Sequence, residues 1–142
     1  MRQGVFLVLL VLACRSPGPD AQATDASGRE PQTAAEQVVR RQYEAYNRHD
    51  LDAFVAAHAP GVKVYRYPDS LILEGRDALR ERFSKLFADA PQVHATVEGR
   101  ITHGDFVVWR ETATGLPGGK TNTGVFVWEV HDGQITSITT LR

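Results

Sequence analysis

Apolar positions along the chain follow different spacing rules in turn. An unbroken apolar run, Val5 to Leu12, comes first, and residues 15–32 then carry almost nothing apolar. From Thr33 the spacing becomes helical. Thr33-Ala34-Ala35-Glu36 has the Thr-x-x-Glu form of a capping box, and Val38, Val39, Gln42, Tyr43 and Tyr46 follow at steps of three and four. Asn47 to Asp50 interrupts this helix. Asp50 can cap a second one, predicted from Leu51 to about His58, with Pro60-Gly61 as its stop. Strict alternation follows: Val62, Val64 and Arg66 against Lys63, Tyr65 and Tyr67, a strand turned by Pro68-Asp69 into the short strand Leu71-Ile72-Leu73. Leu79, Phe83, Leu86 and Phe87 return to helical spacing. After Pro91 the pattern predicts strands over about 92–102, 106–114, 120–131 and 134–141. Gly, Asp and Pro at His103-Gly104-Asp105, Leu116-Pro117-Gly118-Gly119 and Asp132-Gly133 supply the hairpin turns. Helices followed by hairpin-linked strands predict an α+β domain, with helices covering one face of an antiparallel sheet.

The first residues belong to a different class. Arg2 and the apolar run form a positive region followed by a core about half as long as a membrane-crossing helix needs. Val11-Leu12-Ala13-Cys14 resembles the lipobox of bacterial lipoproteins. That resemblance implies a signal peptide over 1–13 and a Cys14 that carries diacylglycerol and palmitate and attaches the chain to a lipid bilayer. The alternative is an ordinary signal peptide cut after Ala13, with Cys14 incidental. Cys14 is the only cysteine, so an exported chain has no disulfide partner for it. Residues 14–32 then read as a lipidated cysteine and flexible tether, and 33–142 as the single folded domain. Arg15 stands where an inner-membrane retention signal would place Asp, which implies an outer-membrane anchor facing the periplasm in a Gram-negative cell.

Sixteen basic against 17 acidic residues give a net charge of -1, so the composition provides no clustered basic face for nucleic acid. Five histidines occur without a His-x-His or His-x-x-x-His spacing, and no metal site or cofactor is expected. There is no phosphate-binding glycine loop and no nucleophile elbow.

Tyr43-Glu44-Ala45-Tyr46-Asn47-Arg48-His49-Asp50-Leu51-Asp52-Ala53-Phe54 resembles the opening helix pair of the nuclear transport factor 2-like superfamily. More narrowly, it resembles its SnoaL-like, steroid delta-isomerase-related members. The similarity continues through Glu74 to Arg80, Val93-His94-Ala95, Gly104 to Val108 and Glu129 to Ile135. It implies a cystatin-like cone, a curved antiparallel sheet with three helices packed on its concave side around a pocket. It also implies a small-molecule ligand or, through the outer sheet face, a homodimer or other protein partner. Ketosteroid isomerase, within the same superfamily, uses an Asp base with a Tyr and a protonated Asp. By the resemblance those places fall at Arg66 or Tyr67, at Gln42 and near Phe126. All three groups are therefore missing, and Arg stays protonated and cannot replace the base.

The strand around Glu111 is the remaining source of chemistry. Val107, Trp109, Glu111 and Ala113 share one face by parity. If that face looks into the cone, Glu111 is a desolvated carboxyl suited to acid–base work in an isomerase- or hydrolase-type enzyme. If it looks out, Glu111 is an exposed acid paired with a cross-strand Arg or Lys. SnoaL-like relatives suggest an Asp-His-Glu run ending at this glutamate, but here Trp109 and Arg110 occupy its first two places. His94 is the candidate partner in catalysis. Gln42, Tyr46, Tyr65, Trp109, Phe126 and Trp128 are expected to line the pocket. His58, at the end of a predicted helix, suits the helix dipole as a cation.

Overall fold

The computed structural model describes residues 32–141; the signal peptide, lipidated Cys14 and nearly all of the tether expected from the sequence lie outside them. The first helix, α1 (Ala34–Asn47), starts where the capping box places it, with the Glu36 amide donating to Thr33 Oγ1 at 3.1 Å. Its buried residues Ala35, Val38, Val39, Gln42 and Ala45 form one stripe facing the sheet. Asp50 caps the short α2 (Leu51–Ala56), accepting from the Ala53 amide at 3.0 Å. Strands β1 (His58–Arg66) and β2 (Ser70–Glu74) follow, then α3 (Arg76–Asp89). The long strands are β3 (His94–His103), β4 (Phe106–Leu116), β5 (Lys120–His131) and β6 (Gln134–Leu141), with a single 3₁₀ turn, Pro117–Gly119, between β4 and β5.

The six strands make one curved, unclosed sheet in the order β2-β1-β6-β5-β4-β3. Four of its pairings are antiparallel, as the hairpin turns predict. The fifth corrects the antiparallel expectation: β1 and β6 run parallel, Val64 beside Ile138 and Arg66 beside Thr140. No turn joins those strands, so no local signal could set their direction.

A second correction concerns His58. The chain leaves α2 at Ala56, and the predicted helix stop, Pro60-Gly61, lies inside β1 at a break in its register with β6. Pro tolerates such a place because the ladder is already interrupted there. His58 is therefore a fully buried strand residue rather than a cation at a helix end. Its Nδ1 lies 2.8 Å from the Phe54 carbonyl, and its Nε2 is buried without a partner. Burial, with a smaller push from Arg76, drives its pKa down to about 4 although the hydrogen bond to Phe54 works the other way.

The core lies between the helices and the concave face of the sheet. Val39, Phe54, Val62, Leu79, Val107, Trp109 and Ile135 are at most 1% exposed, the density of contact expected of a closed interior. α1 is also fastened to β3, the sheet edge. The Asn47 side chain donates to the Ala95 carbonyl at 3.0 Å and accepts from the Ala95 amide at 2.8 Å, while the Tyr43 hydroxyl donates to the same carbonyl at 2.9 Å. Asn47 thus occupies edge groups that an unpaired strand would leave open. At the far end of β4, Gly115 has φ +69°, and a Cβ there would run into the backbone carbonyl of Gln92, so only glycine fits this turn.

Candidate functional site

Parity along β4 decides where Glu111 points. Val107 and Trp109 are buried on the concave face, and Glu111 and Ala113 continue that face into a cavity. Arg110 and Thr112 point outward, where both bond the Glu98 carboxylate. Arg110, the cation next to Glu111 along β4, is thus engaged on the other side of the sheet. The residues registered with Glu111 are Val97 on β3 and Gly124 on β5. Neither brings a polar side chain. Burial without a compensating charge pushes the Glu111 pKa up to about 7.

The cavity has a volume of about 720 Å³. Phe54, Val64, Leu79, Phe83, Phe126 and Ile138 supply much of its apolar wall. Tyr46 touches Phe54, Phe83 and Phe87 at ring separations of 6.1, 6.1 and 5.5 Å, so α1, α2 and α3 meet around a single aromatic cluster. The polar side chains are Gln42, Tyr43, Tyr46, Glu111, Asn122 and Thr140 within, and Arg82, Lys85, Asp89, Lys120 and Thr121 at the solvent side. The Gln42 Oε1 atom is buried with no hydrogen-bond partner, an energetic cost usually offset by water or a ligand group.

Gln42, Tyr46, Phe126 and Trp128 line this cavity, and so does Glu111, whose side of the sheet the sequence left open. Three other residues depart from that expectation. Trp109 points inward but is 1% exposed, sealed behind Tyr43 and Trp128 at ring separations of 5.8 and 5.5 Å, and is core rather than wall. Tyr65 lies one residue out of phase: β1 turns Val64 to the cavity and Tyr65 away. His94 is exposed at the start of β3, beside Thr114, and does not line the cavity with Glu111. The catalytic pair read from the sequence is therefore not formed. Arg66 and Tyr67 are also exposed and outside the cavity. Among the described residues, no group of three or more His, Cys, Asp or Glu is arranged to hold a metal ion.

Several wall residues escaped the sequence reading. Leu79, Arg82 and Leu86 share one face of α3 with Phe83 at steps of three and four, a signal present but read only for its apolar members. Ile138 and Thr140 alternate on β6 in the same way.

Comparison with known proteins agrees with this geometry. Residues 39–138 match the SnoaL-like domain family. No curated protein matches the chain. Among solved structures, an uncharacterized cystatin-fold protein from Novosphingobium aromaticivorans is similar with a TM-score of 0.71 at 22% identity, covering 79% of this chain and all of that one. TerC, co-crystallized with polyporic acid, has a TM-score of 0.63 at 18% identity over 76% of this chain and 90% of its own. A computationally designed 17-OHP binder has a TM-score of 0.65 at 22% identity over 77% and 92%. At these identities the likeness establishes the nuclear transport factor 2-like fold.

Proposed function

The chain belongs to the SnoaL-like domain family, and from that membership we propose that its cone binds a small, partly apolar molecule, with Glu111 as the inner polar contact. The observation that carries this reading is the open cavity with an unpaired carboxyl in its wall. Its volume of about 720 Å³ suits a small organic ligand, and its inner polar groups suit orientation rather than solvation. Near neutral pH the Glu111 carboxyl is divided between its two forms, so it can donate a hydrogen bond to a carbonyl or accept one from a hydroxyl. TerC, co-crystallized with polyporic acid, and the designed 17-OHP binder support the reading, since both are small-molecule binders with this fold. Adding a chemically diverse panel of ring compounds to the purified domain should raise its melting temperature for some members. The gain reaches about 2.7 kcal/mol at a hundredfold excess over Kd. Indifference to the whole panel would contradict binding.

One observation favours a catalytic variant of the same reading. A carboxyl with a pKa of about 7 is matched to proton transfer at neutral pH. Such an enzyme would use Glu111 as general acid or base, without His94 and without the ketosteroid isomerase set. It predicts turnover that Glu111→Gln abolishes while ligand binding persists. Full activity in that variant would remove Glu111 from the chemistry.

The amino-terminal reading completes the proposal: acylated Cys14 tethers the domain to the cell envelope. Mass spectrometry of the exported chain should then find acyl groups on Cys14, and an unmodified thiol there would refute the anchor.

A further inference from the structure

The charges around the cavity are unevenly placed. Arg82 and Lys85 lie on the same stretch of α3 as the wall residues Phe83 and Leu86, and both are exposed. The start of β5 brings Lys120, also exposed, to the same cavity beside Leu116 and Pro117. Lys85 is held by Asp89 at 2.8 Å. Arg82 and Lys120 have no ion pair among the described residues, although Asp52, Glu74 and Glu98 each engage a cation elsewhere. The chain as a whole carries a net charge of -1. The cavity entrance is therefore a basic region on a slightly acidic molecule, opening onto apolar walls.

Resting on the reading of the cone as a small-molecule site, we infer that its occupant is an organic anion, with an apolar body against Phe54, Phe83 and Phe126 and an acidic group at the entrance beside Arg82 and Lys120. The orientation follows from desolvation. An anion carried into the apolar interior would lose its hydration without a buried cation to replace it, and would approach Glu111. At the entrance the same group keeps part of its water and meets two unpaired cations, while the body removes apolar surface from water. A neutral compound of the same shape gains only the second part.

The probes are 1-naphthaleneacetate and the neutral 2-(1-naphthyl)ethanol, measured by calorimetry at about pH 6, where the acid is ionised and Glu111 is mostly neutral. The acid is expected to bind about tenfold more tightly at low ionic strength. In the Arg82→Gln/Lys120→Gln double variant, or near 1 M salt, the preference for the acid over the alcohol should fall to about twofold or less. Both substitutions are at exposed positions, and an unchanged melting temperature verifies that the variant is folded. Equal binding of acid and alcohol to the unaltered protein overturns the inference and leaves the cavity reading standing. A preference that survives the double variant overturns the assignment to Arg82 and Lys120. Binding of neither probe, after the wider panel has also failed, removes both readings together.

Discussion

Glu111→Gln is expected to stabilise the empty domain by about 2–3 kcal/mol at pH 8 and to leave its stability unchanged below about pH 4. The carboxyl titrates near 4.5 when the chain is unfolded and at about 7 in the fold. Below the lower value both states are protonated and the group has no effect on the balance. As pH rises through the interval, the unfolded chain releases the proton while the folded one retains it, and folding loses about 1.4 kcal/mol per unit. Above pH 7 the folded domain carries a poorly solvated anion. The full interval corresponds to about 3.4 kcal/mol, reduced here because the side chain is partly open to solvent. Glutamine has nearly the same shape and never ionises, so it removes the penalty.

His58 gives the same experiment a second signature. Its pKa falls from 6.5 unfolded to about 4 folded, so its contribution has the opposite sign: stability is lost as pH falls from 6.5 toward 4. Between 4.5 and 6.5 the unfolded chain holds the His58 proton and the folded one holds the Glu111 proton, and the two slopes cancel. The glutamine variant removes one side of that balance. Its stability should climb by about 1.4 kcal/mol per unit relative to the parent across the same window. Urea unfolding of both proteins at several pH values reads the difference directly, because contributions from other groups subtract out. Parallel profiles would mean that Glu111 is solvated, and the polar half of the site would be lost.

Phe54→Ala is expected to cost about 3–5 kcal/mol, the range for a buried ring. Phe54 is 1% exposed, with ring centres at 4.3 Å to Phe83, 5.0 Å to His58 and 6.1 Å to Tyr46. It belongs at once to the core and to the cavity wall, so its truncation merges a new void with the existing opening. The His58 ring would then meet that space, and its pKa should move back toward 6.5. Phe126→Ala makes the contrast: a half-buried wall residue should cost distinctly less and disturb ligand binding more. Equal costs for the two would show that Phe54 is held no more firmly than the wall of the cavity, and that the aromatic cluster does not support the cone.

Elements with local signals were legible in the sequence. The capping box at Thr33, the Asp50 cap and the glycine turns placed α1, α2 and the four long strands within a few residues of their ends. Parity along β4 set out both faces, but choosing between them required the neighbours. The two residues beside Glu111 are Val97 and Gly124, from strands whose register no pattern in β4 reveals. The parallel β1–β6 pairing and the burial of His58 escaped for the same reason, since both depend on contacts between distant parts of the chain. Tyr65 and Trp109 show the limit of composition. A large ring with a polar tip suits a pocket, yet a shift of one residue in strand phase, or one more ring in front, takes it out.

The most direct test is a carbon-13 NMR titration of the Glu111 side-chain carboxyl in the ligand-free domain, assigned by comparison with Glu111→Gln. A midpoint near 7 would show a carboxyl held in an apolar, unpaired setting, the condition on which binding or proton transfer in the cone depends. A midpoint near 4.5 would place it in water or beside a cation, and would contradict that site.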